Sequence, residues 1–243
     1  MNKLSTTVVI GLAGLILSAG VQAGKNEAAA NIPYQPRIDP ASQSEVIDNP
    51  YFTLTPGTTF TYKSHADEGT EIDQLTVTNK TKKVLGITAR VVWDRVWLEG
   101  ELIEETYDWY AQDKTGNVWY LGEDSKEMKK GKVTSRKGSW EAGVDGAQPG
   151  IVMPAHPAPG DPYRQEYKKG EAEDMGQILS VRESVKVPAG SYEDCVKTRD
   201  WSALEPDNIE HKYYSKEVGN VVLETEGHDQ KRVELVEVTK GGR

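Results

Sequence analysis

Short runs of alternating apolar and polar residues, set off by Gly, Pro and Asp turns, recur along most of this chain. Thr58–Tyr62 places Phe60 and Tyr62 on one side, and Leu75 and Val77 continue the alternation in a Thr-rich run. Residues 84–98 are rich in β-branched side chains and carry Trp93 and Trp97. Alternation returns at 181–187, 192–201, 209–214 and 220–226, and ends with Val233 and Leu235. A period of two along runs of this length predicts strands. No amphipathic stretch beyond the first 23 residues predicts a helix of ordinary length. The expected fold is mainly β: about ten to twelve antiparallel strands in a half-barrel or barrel, with a sandwich as the other arrangement such strands form.

The N-terminus breaks this pattern. Lys3 is followed by an apolar or small-residue run from Thr6 to Ile16, then Val21-Gln22-Ala23. That is the form of a secretory signal cleaved near Ala23, too short for a membrane span. The reading implies a periplasmic or secreted protein with no integral membrane segment once processed. Residues 24–50, with Pro33, Pro36, Pro40 and Pro50, read as an extended arm. A single β domain is expected over 51–239, followed by a short tail, 240–243. Within it, residues 141–180 lose the alternation and fill with Pro and Gly, as a loop insertion or lid does.

Charge and cysteine content narrow the partners. Thirty-eight acidic against 29 basic residues give a formal net charge of −9, which disfavours nucleic acid and anionic membrane surfaces. Cys195 is the single cysteine, so neither an intramolecular disulfide nor a cysteine metal cluster can form; it reads as a small core residue. The four histidines lack metal-ligand spacing, and no GxSxG, GxGxxG or GxxxxGK motif occurs. No cofactor is expected, apart from a divalent cation such as Ca²⁺.

Candidate chemistry gathers in residues 94–123. A two-residue loop at Glu99-Gly100 sets Arg95 opposite Glu104, Trp97 opposite Leu102 and Asp94 opposite Glu105. A second hairpin, turning through Asp113–Gly116, sets Ala111 opposite Trp119 and Tyr107 opposite Glu123. Together these registers put Asp94, Glu105, Tyr107, Trp109 and Glu123 on one face, with Arg90 opposite Trp109. Like charges directly opposite are unstable without a proton or cation between them. The expected ligand site is therefore Arg90, Asp94, Glu105, Tyr107, Trp109, Trp119 and Glu123, joined by His156, which two prolines fix in the insertion. Asp94, Glu105 and Glu123 are the candidate metal ligands. Glu104, Glu105, Asp108 and Glu123 are the candidate acid and base if the protein hydrolyses glycans. The acidic run from Glu166 to Asp174 is either a solvated loop or the far wall of the same site. Asp113–Asn117 fits a turn closed by a Gly bulge better than a calcium loop.

Asp48-Asn-Pro-Tyr-Phe52, Pro56-Gly-Thr58, Tyr110–Glu123 and Gly143-Val-Asp-Gly-Ala147 together resemble a family of secreted bacterial proteins of unassigned function. More loosely, Val187-Pro-Ala-Gly-Ser-Tyr192 and Tyr213-Tyr-Ser-Lys-Glu-Val-Gly219 look like the strand–turn–strand pieces of periplasmic half-barrels similar to lipoprotein carriers. That likeness implies a concave sheet that takes apolar ligands or partners. The expected function is an exported, non-catalytic binding protein for a small ligand, a cation or an envelope component. The alternatives are a carboxylate-dependent glycan hydrolase and an assembly or interaction factor of the cell envelope.

Overall fold

The computed structural model describes residues 34–66, 69–227 and 231–241. The expected signal segment, residues 24–33 of the expected arm and residues 242–243 of the expected tail lie outside them. After a 3-10 turn at Pro40–Ser42, the chain runs through β1 (Gln43–Ser44), β2 (Asp48–Asn49), β3 (Phe52–Thr53), β4 (Thr58–Ala66), β5 (Gly69–Val84), β6 (Ile87–Leu98), β7 (Glu101–Asp113) and β8 (Val118–Lys129). It continues with β9 (Lys132–Ser135), β10 (Trp140–Glu141), β11 (Gln148–Met153), β12 (Tyr163–Arg164), β13 (Glu166–Tyr167), β14 (Asp174–Val187), β15 (Gly190–Ser202), β16 (Glu205–Ser215), β17 (Asn220–Glu226) and β18 (Lys231–Lys240).

The main sheet is antiparallel, in the order β12-β14-β15-β16-β17-β18-β4-β5-β6-β7-β8-β11-β13. Its edge strands, β12 and β13, are consecutive in the chain and separated only by Gln165. One short stretch therefore pairs with β14 through Tyr163 and Arg164 and with β11 through Glu166 and Tyr167. The sheet is nearly closed into a barrel, and its seam is this stretch. Residues 141–180 do not form the expected lid over a sheet face. Their β11, β12 and β13, with the start of β14, are part of the wall, and the turns 142–147 and 168–173 and the loop 154–162 lie between these strands. The alternation was hidden because these strands are short and interrupted by Pro149 and Gly150.

Gly150 is required at the seam. A Cβ there would lie 2.2 Å from the carbonyl carbon of Gln165, so only glycine lets β11 and the seam backbone approach this closely. The seam is also held by Gln165 N–H donating to Asp174 O at 2.9 Å and by Tyr34 donating to Pro149 O at 2.9 Å.

One end of the barrel is plugged. The stretch 47–54 buries Ile47, Tyr51, Phe52 and Leu54, with the Phe52 ring 5.3 Å from that of Tyr110. The plug is tied to the turns at that end: Asn49 donates to Gly116 O at 2.9 Å, and Thr53 N–H to Gly219 O at 2.6 Å. Apolar inward residues such as Phe60, Val77, Val92 and Val221 fill this half. Further along the same strands the inward positions turn acidic.

Candidate functional site

Side chains two apart share a face, and the strand registers sort the acids accordingly. On β5, Asp73 and Leu75 point inward with Val77. Across the ladder, Leu75 opposes Asp94, Asp94 opposes Thr106, and Asp108 opposes Glu123. From the other side, Asp200 opposes Glu210, which opposes Glu226, while Lys212 opposes Glu224. Asp73, Asp94, Glu104, Asp108, Glu123, Glu166, Asp200 and Glu224 are all under 5% exposed. Lys212, at 4%, is the buried lysine that faces them.

Carboxylates closed away from water cost several kcal/mol each unless a cation or proton accompanies them. On the Lys212 side a cation is built in: its Nζ lies 3.2 Å from Glu210, 3.6 Å from Asp200 and 3.8 Å from Glu224. On the β5–β8 side the acids hold one another instead. The carboxyl oxygens of Asp73, Asp94 and Glu123 are buried and make no well-formed hydrogen bond; Tyr120 near Glu123 and Arg95 near Asp94 offset their burial only in part. Burial, then the charge of Asp94, pushes the carboxyls of Glu104 and Asp108 up to about 8. Burial raises Glu123 and Glu166 well above the usual carboxylate range, with added repulsion from Asp108 on Glu123 and from Asp174 on Glu166. Some hydroxyl and indole donors relieve the crowding. Tyr120 donates to Asp108 at 2.7 Å, Thr106 to Glu104 at 3.0 Å, and Trp140 Nε1 to Glu166 at 2.7 Å.

The expected site is split by two β-bulges. In the β6–β7 ladder Trp97 opposes Leu102 as expected, but a bulge between Val96 and Trp97 shifts the remainder by one. Asp94 therefore opposes Thr106, and Arg95 takes Glu105. In the β7–β8 ladder Ala111 opposes Trp119 as expected, but a bulge around Gly122 sets Asp108, not Tyr107, opposite Glu123. A one-residue slip moves side chains to the other face. Asp94 and Glu123 stay inside, while Glu105 and Tyr107 lie outside.

The outward residues form a separate surface ladder. Glu105 accepts from Lys126 at 3.0 Å and from Trp93 Nε1 at 3.1 Å. Burial opposes ionisation of Glu105, but Lys126, Trp93 and Arg95 together outweigh it and hold the carboxyl below its usual range. Tyr107 stacks on Trp93, and Arg95 lies 3.7 Å over the Trp93 ring.

Trp109 is covered by Lys82, whose Nζ is 3.3 Å from the ring centroid. Trp119 donates to Asp113 at 2.9 Å. Asp113 also accepts from Thr115 and Asn117, and these donors hold its carboxyl down at about 2 against the effect of burial. Residues 113–117 are thus a turn. Arg90 opposes Tyr110, not Trp109, and donates to Glu45 O and Thr78 O near the plug. His156 is exposed on the loop 154–162. None of Arg90, Trp109, Trp119 or His156 reaches the interior acids.

Several interior acids were not among the expected site residues: Asp73, Asp200, Glu210, Glu224 and Glu226, together with Lys212. Their signal was present as acids at the inward positions of otherwise alternating strands, such as Glu71-x-Asp73-x-Leu75 and Glu210-x-Lys212-x-Tyr214. Of the Glu166–Asp174 run, Glu166 is buried, and the charges of Asp174, Glu123 and Asp108 bear on it. Glu171 is exposed. Glu104, Asp108 and Glu123 are sealed from solvent, so a glycan cannot reach them in this conformation. Cys195 is buried, and burial pushes its thiol up to about 11. No helix among the described residues is long and apolar enough to cross a membrane.

No family model matches the chain, and no curated protein sequence matches it. Among solved structures, a provisionally assigned lipoprotein of Parabacteroides distasonis is similar at a TM-score of 0.41 and 12% identity, covering 78% of this chain and 98% of that one.

Proposed function

We propose that the protein is an exported, non-catalytic binding protein that takes a cationic ligand into the acid-lined half of its barrel. The observation that carries this is the asymmetry between the two interior walls. The β15–β17 side places the ammonium of Lys212 beside Asp200 and Glu210, whereas Asp73, Asp94 and Glu123 on the β5–β8 side have no lysine among them and make no well-formed hydrogen bond. A soluble cation supplies what the chain omits there, and the short-stranded seam is the part of the wall easiest to open for its passage. Export is supported by the leader-like residues 1–23.

A ligand that binds the folded chain raises its unfolding midpoint. Unfolding at pH 8 is followed with CaCl₂, MgCl₂ or spermidine against NaCl of equal ionic strength. The expected result is a rise with at least one of them, lost in the Asp94→Asn/Glu123→Gln double variant. If no cation raises the midpoint beyond the NaCl control, the reading falls.

A further inference from the structure

The mouth of the barrel carries an arrangement of acids that Lys212 does not satisfy. Asp200, Glu210 and Glu226 stand directly opposite one another across three adjacent strands, a register that repels unless a cation intervenes. Glu224 lies one inward position deeper than Glu226 and is fully buried. Neither of its oxygens receives a hydrogen bond, and Lys212 at 3.8 Å is beyond hydrogen-bonding reach. One carboxylate oxygen from each of Glu210, Glu224 and Glu226 lies within 4.8 Å of the others.

From these observations we infer that Glu210, Glu224 and Glu226 form a binding site for a divalent cation of calcium's size. The inference rests on the proposed cation-binding function and names one site and one ligand class for it. Oxygens within 4.8 Å of one another place a cation centred among them at no more than about 2.8 Å from each (the side divided by √3), a reach that admits the 2.3–2.6 Å calcium shell. Magnesium demands a strict octahedron at 2.0–2.1 Å and gives up its water reluctantly, which suits a cluster of three carboxylates from two strands less well. Charge favours the same choice. Asp200, Glu210, Glu224 and Glu226 share the Lys212 ammonium, while Lys231, opposite Glu226, is held by Glu71 at 2.6 Å, so a dication brings the cluster near neutrality. Lys212 keeps Asp200 and one edge of Glu210, which fixes those side chains. Glu210 and Glu226 are partly exposed, leaving room for water ligands and a route from solvent.

The test is calorimetric titration of the full mature chain with CaCl₂ and, separately, MgCl₂ at pH 7.5, for wild type, Glu224→Gln, Glu226→Gln and the exposed-site control Glu171→Gln. The expected result is one calcium per chain, with magnesium at least tenfold weaker. Either mouth variant weakens calcium at least tenfold, and the control stays within about twofold. Both glutamine substitutions preserve side-chain volume, and each variant's unfolding transition shows that it is folded. Absence of calcium binding, or wild-type affinity in Glu224→Gln and Glu226→Gln, overturns the site. Glu123→Gln separates this failure from that of the wider reading. Calcium binding lost in Glu123→Gln but kept in both mouth variants removes the mouth site and leaves the interior reading standing. Calcium lost only in the mouth variants supports the site and confines binding to it.

Discussion

The carboxyl of Asp73 meets that of Asp94 inside the barrel, and the pair is stable only while one of them keeps a proton. Burial comes first in raising Asp73, and the neighbouring Asp94 carboxylate raises it further, so Asp73 is the proton holder. Asp73→Asn replaces that group with an amide of the same size which needs no proton. In urea denaturation at pH 8 the variant is expected to match wild type or exceed it by about 1–2 kcal/mol. A loss larger than that would mean Asp73 works as a carboxylate.

The interior makes folding pH-dependent with a definite sign. Glu104 and Asp108 are raised to about 8 and Asp174 to about 7, all chiefly by burial. The folded chain thus holds protons that the unfolded chain releases near pH 4. Stability from these groups is complete below pH 4 and is lost as pH rises through about 8. Urea denaturation without added divalent cation should show stability falling steadily from pH 5 to pH 8.5, by a few kcal/mol in total, since each tenfold rise in a group's proton affinity on folding is worth ~1.4 kcal/mol. A flat profile across that range would show that the interior acids are neutralised by something other than protons.

Much of the barrel was legible from alternation alone, because β4–β8 and β14–β18 are long and their apolar positions keep a period of two. The hairpins at Glu99-Gly100 and Asp113–Gly116 were legible too, since turn residues fix the first pairs: Trp97 with Leu102, and Ala111 with Trp119. What failed was register beyond the first few pairs. A bulge adds one residue to one strand with no compositional mark except, on β8, Gly122, whose φ of +132° suits the irregular backbone. Those two added residues separated Asp94 from Glu105 and Tyr107 from Glu123. The seam was illegible for another reason: strands of two residues have no period to detect.

Gly150 provides a direct test of closure. Gly150→Ala adds a Cβ into the backbone of Gln165, which is covalently continuous with both edge strands and cannot retreat alone. Overpacking of this kind costs about 1–3 kcal/mol. The loss should appear as faster amide exchange at residues 163–167 and in β11, with the β4–β7 amides unchanged. Uniform exchange across all strands would show that the seam is not an independent weak point.

Lys212 is expected to matter more than any other interior side chain. Burial works against its charge, but Glu224, Glu210 and Asp200 outweigh that and raise it well above the usual lysine range. Lys212→Met keeps the stem and removes the ammonium, leaving Asp200 and Glu210 without their ionic partner. Breaking a buried pair from one side costs about 3–5 kcal/mol, and that is the loss expected at pH 8. At pH 5 it should shrink markedly. Asp200 is already raised to about 6 with Lys212 present, so without the lysine it takes a proton readily. Urea denaturation of both proteins at the two pH values decides the matter. A deficit of equal size at pH 5 and pH 8 would mean that Lys212 stabilises the barrel through the packing of its stem and not through its charge.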